Sequence, residues 1–89
     1  MAKVVLMHNV ADVEAWLSFK SERADAIGKL GGSNVQDYVA VDGSSAVAIT
    51  CDMDDVESAL ATTSSPPPEL AEVMGKHGVI PPLTAYVAR

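Results

Sequence analysis

The 89-residue sequence predicts a single α+β domain, residues 1–89, with the element order βαββαβ. Two observations support this class. Runs of β-branched and apolar residues occur at four places along the chain, and each run is short enough to be one strand. Two amphipathic stretches with helical spacing separate the first run from the second and the third from the fourth. Right-handed crossovers between these elements give a four-stranded antiparallel sheet with two helices on one face.

The first strand is predicted at residues 3–10, where Lys-Val-Val-Leu-Met-His-Asn-Val is β-branched or apolar nearly throughout. Such a run is typical of a strand that is covered on both faces. Successive side chains of a strand point to opposite faces of the sheet, so Val4, Leu6 and His8 share one face.

The first helix is predicted from Asp12 to Leu30, because the Asp12 carboxylate can accept a hydrogen bond from a backbone N–H of the first turn. Gly31 and Gly32 follow it, and glycine supplies the left-handed conformation with which a helix commonly ends. The apolar positions of this helix recur at three- and four-residue spacing and are Val13, Trp16, Leu17, Ala24, Ile27 and Leu30.

Residues 35–41 and 46–52 are predicted as the second and third strands, and Asp42-Gly43-Ser44-Ser45 is predicted as the hairpin turn between them. Asp37 is a carboxylate inside the first of these two runs. A charged residue at such a position marks an edge strand, a bulge or a polar wall.

The second helix is predicted after Asp54 and Asp55, whose carboxylates suit the unpaired amides of a helix N-terminus. A surface loop at residues 62–68, which contains three consecutive prolines, is predicted to interrupt it. Gly78 is predicted to end the helix, and the last strand is predicted at residues 83–87. The apolar stripe consists of Val56, Ala59, Leu60, Leu70, Val73, Met74 and His77. Together the elements form a ferredoxin-like arrangement.

Charge and composition exclude several classes of function. Six basic and twelve acidic residues give a net charge of -6, which repels nucleic acid and anionic lipid. No apolar run approaches the length of a membrane span or of a signal-peptide core, so we expect a cytoplasmic protein that does not bind membranes. The single cysteine, Cys51, cannot form an intrachain disulfide or a four-thiolate site, and we expect neither a metal nor a cofactor.

Several families share the ferredoxin-like plan, and their site residues distinguish them. Electron-transfer ferredoxins need four cysteines for a cluster, and metallochaperones of this fold need paired cysteines, which excludes both. RNA-binding versions stack bases on strand aromatics and carry basic surfaces. Here only Tyr38 and Tyr86 fall in predicted strands and the charge is negative, so this class is excluded as well.

The chain resembles the dimeric α/β-barrel superfamily, which includes small antibiotic-biosynthesis monooxygenase-like and polyketide cyclase-like proteins. Four features carry the resemblance: His8-Asn9 at the end of the first strand, the helix with Trp16, the interrupted second helix and the turn at residues 78–82. The resemblance implies subunits that pair their sheets face to face, so the expected partner is a second copy of the chain. The superfamily includes cofactor-independent oxygenases, cyclases, haem-degrading enzymes and members without known activity.

The haem-degrading members have an asparagine on the first strand and a tryptophan and a histidine on the second helix. Asn9 and His77 occupy comparable places in this sequence, which makes Asn9 a candidate ligand-binding residue by resemblance. The second helix of this chain has no aromatic residue, and that departure disfavours haem as a ligand.

His8 is the candidate catalytic residue, because a neutral imidazole on a half-buried strand can act as a general base. Trp16 and Tyr38 are candidate walls of an apolar pocket, and Tyr38 or Tyr86 could donate a phenolic hydrogen bond to a ligand. His77 lies on the apolar stripe in the last turn of the second helix. Each candidate also has a structural alternative: a strand-end histidine, a core tryptophan and a helix-capping histidine.

The functional hypothesis from the sequence is a homodimer with a pocket between helices and sheet, lined by His8, Trp16, Tyr38 and His77. The pocket is expected to bind a small aromatic or acyl-type molecule, with oxygenase-like or cyclase-like chemistry that needs no cofactor. The alternative is a non-catalytic ligand-sensing or assembly module. An enclosed pocket with two or more converging polar groups favours the first hypothesis, and a solid core favours a protein without a small-molecule site.

Overall fold

A computed structural model describes residues 2–65 and 68–88, which have the predicted α+β, ferredoxin-like architecture. Each of the two predicted helices is present as two shorter ones. No helix in these two ranges is long and apolar enough to cross a membrane. The elements are β1 (Ala2–Val10), α1 (Val13–Ser18), α2 (Lys20–Lys29), β2 (Gly32–Val39), β3 (Ala46–Met53), α3 (Val56–Ser64), α4 (Pro68–Lys76) and β4 (Val79–Val87).

The four strands form one antiparallel sheet in the order β2-β3-β1-β4, so β2 and β4 are its edges. β1 lies between β3 and β4, and Val4 stands opposite Cys51 on one side and Val87 on the other. The register between β1 and β4 shifts between Met7 and Asn9. β4 begins at Val79, earlier than the predicted start at residue 83.

The core lies between the sheet and the helices, and alternation along β1 defines it. Side chains at positions 4, 6, 8 and 10 are buried, whereas those at positions 3, 7 and 9 are exposed. β1 was predicted to be covered on both faces. In the single chain it is covered on one face, because the helices lie on one side of the sheet. The buried apolar residues are Val4, Leu6, Val10, Trp16, Ile27, Val47, Ile49, Cys51, Met53 and Ala59.

The face of the sheet that is turned away from the helices is called the open face below. Its central side chains are apolar or small, and four large ones are between 45% and 55% exposed. In a single chain this face leaves a broad apolar surface in contact with water. The central residues of the open face are Val5, Met7, Tyr38, Ala48, Thr50, Ile80, Thr84 and Tyr86, and the polar residues Lys3, Asn9, Gln36 and Asp52 lie around them on the same face.

The predicted helix from Asp12 to Leu30 is interrupted at Phe19, which separates α1 from α2. The Trp16 carbonyl oxygen accepts hydrogen bonds from the Phe19 N–H, at 3.2 Å, and from Nη1 of Arg23, at 2.9 Å. In an uninterrupted helix this carbonyl oxygen would accept the backbone N–H four residues later. Here the Arg23 side chain bonds to it instead, and a side chain that enters the backbone hydrogen-bond pattern in this way breaks or kinks a helix. The predicted cap is confirmed, since Asp12 Oδ1 accepts the Ala15 N–H at 3.2 Å.

The predicted loop at residues 62–68 is shorter in the structure. α3 continues to Ser64, and Pro68 begins α4, where proline is well tolerated because the first helical residues need no N–H donor. Pro66, Pro67 and the side chain of Leu70 lie outside the described residues. The predicted helix stop at Gly78 is confirmed, because its φ of 72° lies in the left-handed region.

Arg23 and Asp37 form a buried, bidentate ion pair between α2 and the edge strand β2. Arg23 Nε donates to Asp37 Oδ1 at 3.1 Å, and Nη2 donates to Oδ2 at 2.9 Å. The arginine side chain is 6% exposed and the aspartate side chain 1%. Two parallel hydrogen bonds between charged groups, sheltered from water, hold the helix against the strand in one orientation. Of the alternatives left open for Asp37, the structure shows the edge strand, and the register of β2 against β3 shifts close by, between Ser33 and Gln36.

Asp37→Ala is expected to destabilise the fold by about 3 to 5 kcal/mol, because it leaves the Arg23 guanidinium buried without its counter-charge. Urea denaturation followed by circular dichroism measures this loss. Lys3→Ala is the matched control, since it removes the exposed ion pair between Lys3 and Asp52 and should hardly move the midpoint. Equal, small losses for the two variants would contradict a stabilising role of the buried pair.

Candidate functional site

A cavity of about 80 Å³ lies between the sheet and helices α2 and α4. Its wall is apolar over most of its surface, and four polar or aromatic nitrogen-bearing side chains interrupt it: His8, Trp16, Arg23 and His77. The cavity is well above the size that a single water needs. The apolar lining residues are Leu6, Ala26, Ile27, Leu30, Ile49, Met53, Val73, Met74, Val79 and Leu83.

His8 lies on β1 and faces the cavity, and it is 7% exposed. Its Nδ1 is 3.0 Å from the Asn9 carbonyl oxygen, and a carbonyl only accepts, so Nδ1 carries the proton. In the neutral ring Nε2 is then an acceptor. Burial, together with the nearby positive charge of Arg23, lowers the pKa of His8 below its ordinary value of 6.5 and outweighs the opposing Asn9 hydrogen bond. His8 is therefore a neutral base at pH 7.

Trp16 is fully buried at the wall of the cavity, where its ring meets the His8 ring edge to face. The ring centroids are 6.2 Å apart, and the planes make an angle of 79°. Nε1 of the indole has no hydrogen-bond partner among the described residues. A buried N–H usually finds a partner, because leaving it unpaired costs about 1 to 3 kcal/mol.

His77 follows the last residue of α4, and its backbone N–H still donates to the Val73 carbonyl at 3.0 Å, as the predicted last-turn position requires. The side chain is buried and stacks on Phe19 with ring centroids 4.7 Å apart. Its Nε2 has no hydrogen-bond partner within residues 2–65 and 68–88, and Glu22 Oε1 is 3.9 Å away. Burial, assisted by the positive charge of Arg23, lowers the pKa of His77.

Arg23 is a site residue that the sequence analysis missed. It contacts the cavity, and its Cζ lies 3.9 Å from the centroid of the Trp16 ring. A signal was present in the sequence: Arg23 stands seven residues after Trp16 and four before Ile27, so it occupies a position of the apolar stripe. Ala24, which was assigned to that stripe, is exposed. A basic residue on an apolar stripe needs a buried partner, and Asp37 is that partner.

Tyr38 and Asn9 do not line this cavity, contrary to the predicted set. Tyr38 follows Asp37, whose side chain points toward Arg23, so strand alternation directs Tyr38 to the open face, where it is 49% exposed. Asn9 follows His8 and is exposed for the same reason. Tyr86 also lies on the open face, opposite Val5 in the neighbouring strand. The structure therefore brings together His8, Trp16 and His77 from the predicted set, and adds Arg23.

The cavity offers acid–base and hydrogen-bonding groups in an apolar setting. His8 supplies an acceptor, and two further residues of the lining, Trp16 and His77, each have a buried ring nitrogen without a hydrogen-bond partner among the described residues. The charge of Arg23 is balanced by Asp37. Within the described part of the chain, no three His, Cys, Asp or Glu side chains are grouped closely enough to hold a metal ion.

Comparison with family models finds no matching family, and no curated protein matches the sequence. Solved structures do match along the whole chain. An antibiotic biosynthesis monooxygenase superimposes with a TM-score of 0.65 at 11% identity, covering 100% of this chain and 97% of the other. A protein of Agrobacterium tumefaciens gives a TM-score of 0.63 at 10% identity, with 100% and 92% covered.

A dimeric ferredoxin-like protein from an uncultured marine organism gives a TM-score of 0.60 at 8% identity, with 100% of this chain and 93% of the other covered. At these identities the likeness concerns the fold. It confirms the ferredoxin-like class.

Both histidines are expected to titrate below pH 6.5, because burial opposes their charged form in the folded state. The unfolded chain then binds more protons, so the stability present above pH 6.5 is lost as the pH falls through the folded pKa values. Side-chain NMR titration and urea midpoints between pH 7 and pH 5 measure the two effects. Because the sequence has only two histidines, His8→Gln with His77→Gln should remove this pH dependence. NMR titration midpoints of the two histidines at or above pH 6.5 would contradict the prediction that both imidazoles are buried and neutral.

Proposed function

We propose that the cavity binds a small, uncharged aromatic or acyl-type molecule, and that His8 acts on it as a general base in oxygenase-like or cyclase-like chemistry without a cofactor. One observation carries this proposal: Trp16 Nε1 and His77 Nε2 are buried at an otherwise apolar cavity with no partner in the described chain. A ligand that bonds to these nitrogens removes the cost of leaving them unpaired.

The preference for an uncharged ligand follows from the charges around the cavity. Arg23 is neutralised by Asp37 through two hydrogen bonds, and both histidines are held neutral by burial. A permanently charged molecule would lose its hydration at the apolar wall without meeting a net opposite charge. A flat or chain-like apolar molecule with one or two oxygen atoms matches the wall and the polar groups.

The proposed chemistry follows from the protonation state of His8. Its Nε2 is an acceptor on a residue that lines a largely apolar cavity, so it can take a proton from an acidic O–H or C–H group of the ligand. Proton removal is a first step common to oxygenation of an electron-rich substrate and to ring closure next to a carbonyl. Likeness of fold to a protein named as an antibiotic biosynthesis monooxygenase supports the oxygenase-like branch.

We also propose that two chains pair through their open faces. The face is apolar at its centre, and a second copy would remove Met7, Tyr38, Ile80 and Tyr86 from water. A protein of the same fold is described as dimeric, which supports this assembly. The dimer and the cavity then use opposite faces of the same sheet, so neither blocks the other.

The binding proposal predicts that His8→Ala and Trp16→Phe lose ligand affinity while the fold is retained. Each variant removes one polar group from the cavity, and the loss of stability should stay within about 1 to 2 kcal/mol. A screen of small aromatic and acyl compounds, read by the fluorescence of Trp16, identifies the ligand, because this is the sole tryptophan in the sequence. Calorimetry then compares the variants.

Asn9→Ala is the matched control, because Asn9 adjoins His8 in sequence and lies on the other face of the sheet. It should bind the ligand like the unaltered protein. If His8→Ala loses much of its thermal stability and still binds ligand, His8 has a structural role and the base must be sought elsewhere, first at His77. Bound ligand that is never turned over would favour the non-catalytic, ligand-sensing alternative.

The dimer proposal predicts that Val5→Lys dissociates or unfolds the protein, because it buries an unpaired charge at the centre of the open face and costs several kcal/mol. Light scattering should give twice the 9.3 kDa chain mass for the unaltered protein. Glu57→Lys, on the exposed surface of α3, is the control and should leave the dimer intact. A 9.3 kDa particle that does not grow on concentration would end this proposal.

A further inference from the structure

We propose that Arg23 and the indole N–H of Trp16 form an anion-stabilising subsite, which holds the ligand oxygen whose negative charge develops when His8 takes a proton. This inference rests on the proposed function, since it concerns a ligand in the same cavity. It assigns a chemical property to that ligand: an oxygen that is protonated on entry and becomes anionic in the site.

The hydrogen bonds of Arg23 leave part of its donor capacity for a ligand. A guanidinium has five N–H groups. Three of them are used, by Asp37 Oδ1, Asp37 Oδ2 and the Trp16 carbonyl oxygen. Two N–H groups therefore have no acceptor in the described residues, and the side chain contacts the cavity. Because three bonds fix the plane of the guanidinium, its remaining donors are held in place before a ligand arrives.

The indole of Trp16 supplies the second donor. Its Nε1 is fully buried at the cavity and has no partner among residues 2–65 and 68–88. The Arg23 Cζ atom lies 3.9 Å from the ring centroid, so a positive charge stands over the π face. That charge draws electron density from the ring and makes the N–H a stronger donor. Both donors belong to residues that line one largely apolar cavity, and two fixed donors in such a setting can together stabilise an oxygen anion.

Asp37 determines when the subsite acts. In the empty cavity its carboxylate balances Arg23, so the pair has no net charge and does not select a permanent anion. When His8 Nε2 accepts the proton, the O–H bond of the ligand breaks and its electron pair stays on the oxygen. The new anion then lies between the imidazolium and the guanidinium, and it offsets their mutual repulsion. The site thus favours the ionised ligand over the neutral one.

A chromogenic phenol tests this directly, because its ionised and neutral forms absorb at different wavelengths. 4-Nitrophenol is titrated while bound to the unaltered protein, and equilibrium dialysis measures its binding. The expected result is a pKa of the bound phenol about one unit below its value in free solution, which is about a tenfold higher ratio of phenolate to phenol at a given pH. This measurement on the unaltered protein does not depend on any variant folding.

Two variants then assign the effect to the ion pair. Arg23→Met combined with Asp37→Asn removes both charges together, and exchange of a whole buried pair is often tolerated. It should bind the phenol and lose the downward shift of its pKa. Asp37→Asn alone leaves the guanidinium unbalanced and should lower the pKa of the bound phenol further. Lys29→Met, which removes an exposed cation from the same helix, is the control and should leave the shift unchanged.

The outcomes separate this inference from the proposed function. Failure of 4-nitrophenol and of every screened compound to bind overturns both. A phenol that binds with an unchanged or raised pKa overturns the anion-stabilising subsite and leaves the binding proposal standing. Retention of the full shift in the doubly substituted variant also overturns the assignment to Arg23.

Discussion

The buried ion pair of Arg23 and Asp37 is the interaction on which the other features depend. It ties α2 to the edge strand β2 through two hydrogen bonds between charged groups. The third bond of the arginine, to the Trp16 carbonyl, coincides with the break that separates α1 from α2. The guanidinium also covers the Trp16 ring and lowers the pKa of both histidines, after burial, which has the larger effect. One charged pair therefore coincides with a helix boundary, contacts an aromatic wall and adds to the effect of burial on the pKa of two imidazoles.

The cavity is unusual for such a small domain. A chain of this length has a single small core, and close packing of that core with apolar groups would stabilise it most. This core instead contains two imidazoles, an indole N–H and an ion pair around an open space. Polar groups that are buried without partners lower stability, and such departures from good packing concentrate at sites that bind or react.

The two faces of the sheet separate the two roles proposed for it. Neighbouring residues belong to different faces: His8 and Asp37 point toward the helices, whereas Asn9 and Tyr38 point away. The cavity with His8 lies on the helix side, and the surface proposed to bind a second copy lies on the other. Because strand side chains alternate with a period of two, an error of one residue in register would exchange these roles completely.

Local chemistry in the sequence was sufficient to determine the fold class, the order of strands and helical regions, the Asp12 and Asp55 caps and the stop at Gly78, because periodicity, side-chain capping and glycine conformation act over a few residues. The break of the first helix at Phe19 was not predicted. It also placed His8, Trp16 and His77 on apolar positions. Arg23 was not predicted as a site residue, because its partner, Asp37, lies fourteen residues away and no local sequence pattern relates the two. Tyr38 was assigned to the wrong face because its direction depends on how β2 pairs with β3. Only the packed sheet and helices decided which distant side chains meet, since burial and strand register are properties of the whole chain.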